Sequence, residues 1–321
     1  MIRTFAFADA RLNPQPDQPT LSQDATWIDV FDPSPDEMEQ VEKFCGFPMP
    51  TPDDMAEIEI SSRLYEEFDA VFMTALIPSR TDTDDLLMKP VTFILTNGRL
   101  ITIRYHDPRV FAAFITHCTK TKFEAATGEG VMLQMLDIVV DRLADILERA
   151  GHELDRISSD VFARKETRSK ADTDYKATLE SIGRKGNFTS NLRDSLMTLS
   201  RLVTFLEPRI DRDTARQSEI LKTLSQDIRS LLDHCGFVSQ KVTFLLDATL
   251  GLIGIEQNGI IKIFSVAAVI FLPPTVVASI YGMNFEIMPE LAFPYGYPMA
   301  LGLMLMSSIV PYLFFKRRGW L

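Results

Sequence analysis

Two uncharged stretches near the C-terminus constrain this chain more than anything else in it. From Ile263 to Phe285 there are 23 consecutive positions without Asp, Glu, Lys or Arg, and from Leu291 to Phe315 there are 25. A helix of about 20 predominantly apolar residues crosses the hydrocarbon core of a bilayer. Both stretches qualify and nothing earlier in the chain does, so a protein that spans the membrane twice is expected. The flanks set its orientation. Lys262 stands just before the first span and Lys316-Arg317-Arg318 follows the second, while the loop between them carries Glu286 and Glu290 and no Lys or Arg. The positive-inside rule then places both termini in the cytoplasm and the short loop outside. Trp320, Tyr295, Tyr297 and Tyr312 are candidate interfacial anchors. Met1 to Ala6 has no apolar core of signal-peptide length, so the part before the spans is expected to stay in the cytoplasm. Anchoring of a soluble enzyme would need only one span.

The rest of the chain has the composition of a soluble protein, with 24% charged residues overall and a net charge of −11. That charge argues against nucleic acid as a partner and admits divalent cations; ordinary solubility accounts for it equally well. Cys45, Cys118 and Cys235 lie far apart and show neither zinc spacing nor a paired framework, which fits a reducing compartment. No nucleophile–base pair, phosphate-binding loop or cluster of His or Cys is present, so neither an enzyme nor an organic cofactor is expected.

Residues 1–106 read as an α/β domain. Thr26 to Phe31 is a short strand, and Ser34-Pro35-Asp36-Glu37 reads as a helix start with Ser34 as N-cap and Glu37 closing a capping box. Val71 to Pro78 and Val91 to Thr96 are rich in β-formers. Asn97-Gly98 then makes a favourable two-residue turn into Leu100 to Tyr105. Strand signals vanish after Asp107. Val131 to Phe162 carries apolar residues at helical spacing, a polar stretch follows from Arg164 to Thr173, and a second helix ends near Glu207-Pro208. Residues 107–208 are therefore expected to be antiparallel helices.

No proline occurs between Arg209 and Leu272, and the helical pattern runs from the charged region straight into the first span. A helix from Asp211 to Tyr281 would hold 71 residues, roughly 105 Å. A helix that long needs partners along its length, and copies of itself are the natural ones. The expected order is a stalk helix at 209–261, a first span at 262–284, an outer loop at 285–294, a second span at 295–315 and a basic tail at 316–321.

A 3.5-residue repeat starts at Asp247 and runs through Gly251, Gly254, Asn258, Ile261, Ser265, Ala268, Leu272, Thr275 and Ser279 to Gly282. This is the period of a left-handed bundle. Only Ile261 and Leu272 are large and apolar. Small residues allow close helix packing; they also give width to a water-filled channel, with Ile261 and Leu272 as hydrophobic constrictions. Asp247, Asn258 and Thr275 favour the channel, because polar side chains in a membrane are costly unless they face water. Pro273-Pro274 interrupts the backbone hydrogen-bond ladder, as a hinge or as a fixed bend.

Mg2+ is small, hard and reluctant to lose its waters, so a selective entrance is expected to hold the hydrated ion through oxygens. Gly282 bends the chain at the end of the first span, and Asn284 offers a neutral amide oxygen. Several copies around an axis turn that one Asn into a ring of acceptors. Soft ligands are absent from the stripe, which argues against copper or a thiolate zinc site. Met283 reads as a packing residue, and Glu286 and Glu290 can raise the local cation concentration.

Tyr281-Gly282-Met283-Asn284-Phe285 at the end of the first of two C-terminal spans resembles the signature of CorA magnesium transporters. Met288-Pro289-Glu290-Leu291, Gly296-Tyr297-Pro298 and Lys316-Arg317-Arg318-Gly319-Trp320-Leu321 follow in the family's order. Upstream, Ile255-Glu256-Gln257-Asn258 and Ile261-Lys262-Ile263-Phe264 are also similar. The resemblance implies a funnel-shaped homopentamer in the inner membrane, built from an α/β N-terminal cytoplasmic domain, a long-helix stalk and two C-terminal transmembrane helices. It implies influx of Mg2+, with Co2+ and Ni2+ also accepted. It places Gly282, Met283 and Asn284 at an outer selectivity filter and Thr275, Leu272, Ile261, Asn258 and Asp247 along the path. Ser265 and Ser279 line the same face. Asn284, through the hydrated ion, and Asp247 are the implied Mg2+ contacts. Lys262 with Lys316, Arg317 and Arg318 forms an implied basic collar.

The family's regulatory Mg2+ bridges acids between neighbouring cytoplasmic domains; Asp82, Asp84, Asp85, Asp211, Asp213, Glu219 and Asp227 are candidates. On that reading, Mg2+ holds the stalks together, and its loss lets like charges push them apart. The related zinc-transporting branch is the alternative within transport, and the Met288–Leu291 loop favours magnesium. A non-conducting, membrane-anchored scaffold or sensor is the alternative outside it.

Overall fold

The computed structural model describes residues 1–15, 21–81, 86–120, 127–162, 174–209, 215–284, 288–289 and 294–319. They divide into two compact units, Met1–Leu246 and Asp247–Leu321.

The first unit is built on a seven-stranded sheet. Its strands are β1 (Ile2–Ala8), β2 (Arg11–Pro14), β3 (Trp27–Phe31), β4 (Leu64–Glu67), β5 (Ala70–Ser79), β6 (Leu87–Thr96) and β7 (Arg99–Arg104), in the spatial order β2-β1-β3-β7-β6-β5-β4. Among the described residues only β3 and β7 pair in parallel. Three of the antiparallel connections are two-residue turns in which both residues have positive φ: Asp9-Ala10 at 54° and 60°, Phe68-Asp69 at 54° and 53°, and Asn97-Gly98 at 48° and 72°. That geometry matches the twist of the flanking strands and favours Asn-Gly. The turn anticipated at Asn97-Gly98 is therefore present. The other two adopt the same shape without glycine.

Residues alternate between the two faces of the sheet, as the pleat requires. Trp27, Met73, Phe93 and Leu100 enter one apolar core; Ile28, Phe72, Ile94 and Ile101 enter the other. The second core is covered by α1 (Pro35–Cys45) and α2 (Pro52–Ala56), which contribute Val41 and Met55. Helix α1 begins with the anticipated capping box: the Ser34 hydroxyl accepts from the Glu37 N–H at 3.3 Å, and the Ser34 N–H donates to the Glu37 carboxylate at 2.8 Å. The short α3 (Ile60–Arg63) precedes β4. The first core is covered by α4 (Arg109–Lys120), α5 (Gly128–Phe162) and α6 (Tyr175–Leu206). Strand β4 pairs with β5 only as far as Met73. Beyond it α6 covers the open edge of β5: the Ser195 hydroxyl donates to the Leu76 carbonyl at 2.6 Å, and the Leu76 N–H donates to Thr198 Oγ1 at 3.0 Å. Edge groups left unpaired would cost free energy or invite aggregation.

One polar network crosses the first core. Asp29 accepts from both Arg104 Nε (3.0 Å) and Arg104 NH2 (2.9 Å), and its Oδ1 also accepts from the Thr102 hydroxyl at 3.0 Å. Trp27 Nε1 donates to that same hydroxyl at 3.0 Å. The Arg104 guanidinium lies over the Phe31 and Phe111 rings, and both members of the pair are buried. A buried ion pair is tolerable only when its remaining hydrogen-bonding groups are satisfied.

Helix α7 (Ala215–Tyr281) holds 67 residues without interruption. Asp211, where it was expected to begin, lies outside the described residues. Its N-terminal part belongs to the first unit, where Leu224, Ile228, Val238 and Leu245 join the core. The second unit comprises the C-terminal part of α7 and α8 (Gly296–Arg317). Pro273 and Pro274 lie inside α7, and Pro311 inside α8; both helices continue through them. Among the described residues, these two helices are long and apolar enough to cross a membrane. No strand follows Arg104 among the described residues.

Candidate functional site

The second unit buries very little. Thr249 and Val266 are covered on α7, and Gly296 and Ala300 on α8. Partly covered residues of α7 accompany Val266 at helical spacing: Gly259, Lys262, Ile270, Pro273, Val277 and Tyr281. This row defines the face that α7 uses within its own chain. The 3.5-residue stripe lies one position away on the helix, about 100° around the axis. Every stripe residue from Asp247 to Gly282 is exposed except the partly covered Gly254. Ile261 is 61% exposed and Leu272 60%. The small and polar residues therefore do not serve packing inside one chain.

Local chemistry along this face is oriented. The Thr275 hydroxyl donates to the Phe271 carbonyl at 2.7 Å. Its proton is thus committed to the backbone, and the oxygen lone pairs are left for an outside donor or cation. Helix α7 ends where Gly282 N–H donates to the Ala278 carbonyl at 3.0 Å and Met283 N–H to the Ile280 carbonyl at 3.2 Å. A Cβ at position 282 would sit 3.2 Å from the Ala278 carbonyl oxygen, so glycine suits this close approach of side and main chain. Met283 and Asn284 follow, both exposed. Asp247, Asn258, Ser265 and Ser279 are exposed on the same face.

Lys262 and the C-terminal tail come together: Lys262 Nζ donates to the Gly319 carbonyl at 3.2 Å. Lys316 lies over the Tyr312 ring and Arg318 over Phe314, and Lys316, Arg317 and Arg318 are all exposed. Tyr295 and Tyr297 are exposed at the start of α8. Glu286, Glu290, Trp320 and Leu321 lie outside the described residues, as do the candidate regulatory acids Asp82, Asp84, Asp85, Asp211 and Asp213.

Of the remaining regulatory candidates, Glu219 and Asp227 are exposed on α7. Asp227 adds to the field at Asp137 on α5, whose carboxyl is raised above its ordinary value by burial, then by Asp141 and Asp227. Asp137 and Asp141 escape sequence reasoning because their helix reads as amphipathic, and nothing in one helix shows that a second brings another carboxylate near. Among the described residues no three His, Cys, Asp or Glu side chains converge to hold a metal ion. The three cysteines are far apart and burial pushes their thiols up, to about 11 for Cys45 and Cys235 and about 12 for Cys118.

An α/β sheet unit, together with a long helix that becomes the first of two apolar, membrane-length helices, defines a class of protein with two candidate membrane spans. The family model for CorA-like Mg2+ transporter proteins matches residues 22–317. The magnesium transport protein CorA of Pasteurella multocida is 36% identical over 323 residues, covering all of both chains. The chain belongs to the CorA family. Among solved structures, the complete CorA magnesium transporter from Methanocaldococcus jannaschii superposes with a TM-score of 0.77 at 20% identity, covering 100% of this chain and 99% of that one. The cytoplasmic domain of ZntB from Vibrio parahaemolyticus covers 80% of this chain and 96% of its own at a TM-score of 0.51 and 13% identity. These two likenesses concern the fold alone.

Proposed function

We propose that this chain forms a homopentameric Mg2+ channel of the inner membrane, with both termini in the cytoplasm and α7 lining the path. The observation that carries the reading is the exposed stripe of α7, which ends at Gly282-Met283-Asn284. Full-length similarity to magnesium transport proteins supports Mg2+ as the transported ion. Copies of α7 around one axis turn each stripe residue into a ring. Rings of Asn284 amide oxygens hold the hydrated ion at the outer mouth, where stripping its waters would be slow. Ser279, Thr275, Ser265, Asn258 and Asp247 offer further oxygens. Leu272 and Ile261 form apolar constrictions that stop conduction by dewetting. Lys262, joined to the tail that carries Lys316, Arg317 and Arg318, sets a basic collar at the inner membrane surface. Influx is driven by the membrane potential, at about 2.3 kcal/mol per charge per 100 mV.

Gating by cytoplasmic Mg2+ follows from the same assembly. On this reading a regulatory ion draws its carboxylates from neighbouring copies, with Glu219 and Asp227 exposed on α7 as candidates. Co2+ and Ni2+ are softer than Mg2+ but form octahedral hydrates of similar size, and a filter that holds the hydrated ion passes them as well. Uptake of Mg2+, Co2+, Ni2+ and Zn2+ into the same vesicles, with and without a pH gradient, tests the ion assignment. The expected result is potential-driven Mg2+ uptake that is indifferent to the pH gradient. Zn2+ uptake that requires the gradient, without Mg2+ uptake, would favour the zinc-transporting branch instead.

A further inference from the structure

The register of the stripe does not stop at Asp247. Continued toward the N-terminus of α7 it passes through Phe244, Gln240, Phe237, Asp233 and Ser230, and all of these are exposed. The two phenylalanines are the large apolar members of an otherwise polar face. Phe237 is 59% exposed and Phe244 58%. They stand seven residues apart, two helical turns, so one lies about 10 Å beyond the other along the helix. Their contacts within the chain are marginal: Phe244 lies beside Phe162 with ring centroids 6.0 Å apart, and Phe237 beside His234 at 6.1 Å. The same stretch packs its core through a different face, using Cys235, Val238 and Leu245.

A phenylalanine at every seventh position of a 3.5-residue face marks a seam between like helices. Aromatic side chains dominate the energetics of such contacts and are costly to leave in water. The occupant that fits is a second copy of this chain, since parallel copies in register set Phe237 against Phe237 and Phe244 against Phe244. Asp233, Gln240 and Asp247 then interleave as polar rings.

We propose that Phe237 and Phe244 form two aromatic collars, one ring per copy at each level, that close the ion path on the cytoplasmic side of Asp247. The inference rests on the channel reading above and adds to it a second closure outside the membrane. An apolar collar cannot replace the waters of Mg2+, so a hydrated ion does not pass while the rings touch. Gln240 and the water around it occupy the space between the two collars.

Single-cysteine substitutions in the full-length protein in its membrane test this, with a short bismaleimide as crosslinker. The native thiols form the background, because burial raises all three above the ordinary cysteine value. Phe237→Cys and Phe244→Cys replace exposed rings and leave the core intact. Both are expected to run largely as crosslinked dimers, whereas Ser225→Cys, exposed on another face, stays monomeric. Ser265→Cys reports on the channel reading itself. Crosslinking at Ser265→Cys but not at either phenylalanine site would overturn the collars and leave the channel standing. Monomer at all of these sites would overturn both. In the second measurement, Phe237→Ser with Phe244→Ser should raise Mg2+ flux measured at high internal Mg2+. Crosslinking with unchanged flux would show a subunit contact that closes nothing, and the closure would be refuted.

Discussion

The two units of this chain treat the same kinds of residue in opposite ways. In Met1–Leu246 large apolar side chains are buried on both faces of a sheet, and the buried charge of Arg104 is matched by Asp29, a carbonyl and two aromatic rings. In Asp247–Leu321 leucines, isoleucines and phenylalanines face outward along most of α7 and α8. Water would not tolerate the second arrangement over two helices of membrane length. The first unit contains the partners that stabilise it. The second buries little within its own chain, and Asp247, Asn258, Ser265, Thr275 and Ser279 stand exposed along one face of α7.

That contrast can be broken most easily at the Asp29–Arg104 pair. Asp29→Ala removes the buried counter-charge of Arg104 and leaves it only the exposed Asp107 carboxylate, 2.8 Å from its other guanidinium nitrogen, and a loss of about 3 kcal/mol is expected. Denaturant unfolding of the purified protein measures it, and the loss should be the same in detergent and in lipid because the pair is internal to the first unit. A matched pair of leucines sharpens the comparison. Leu136→Ala, in the core of α5, should cost about 2–5 kcal/mol. Leu272→Ala, exposed on α7, should change stability by no more than about 0.5 kcal/mol while raising Mg2+ leak.

The smallest expected effect is a pH dependence confined to the first unit. His106 is buried with Nε2 at 2.9 Å from the Ile77 carbonyl, and burial is the main cause lowering its pKa below the ordinary value of 6.5. The unfolded chain then takes up a proton at a pH where the folded one does not. Stability is fully present above the ordinary value and declines as the pH falls from there toward the lowered one. Thermal unfolding at pH 7.5 and pH 5.5 should show a lower Tm at the acid value, and His106→Gln should flatten the difference. An equal slope in that variant would place the acid sensitivity elsewhere.

Much of this architecture is legible in the residues, and the gaps have physical causes. The hairpin at Asn97-Gly98 announces itself because both residues accept positive φ at little cost. Asp9-Ala10 and Phe68-Asp69 make the same turn, but Ala and Phe give no sign of it; strands β1, β2 and β4 therefore pass unnoticed until pairing is seen. The capping box at Ser34 is written in four consecutive residues and is present. The stripe on α7 reads from sequence as either packing or pore, because period alone does not say what faces it; exposure within the chain removes intrachain packing from those choices. Phe237 and Phe244 continue the stripe's register and still look like core residues in sequence, since a hydrophobic side chain gives no hint of which helical face its own chain has already used. Part of what raises the Asp137 carboxyl, after burial and Asp141, comes from Asp227, which lies 90 positions later.

The central claim is that ions pass along the exposed face of α7 and enter past Asn284. Mg2+ uptake into vesicles holding wild-type or Asn284→Ala protein, under an inside-negative potential, tests it most directly. The account predicts robust uptake by the wild type and its loss in Asn284→Ala, with both proteins assembled and equally stable. Uptake undiminished in the variant, or absent from the wild type, would contradict it and leave a membrane-anchored scaffold as the better description.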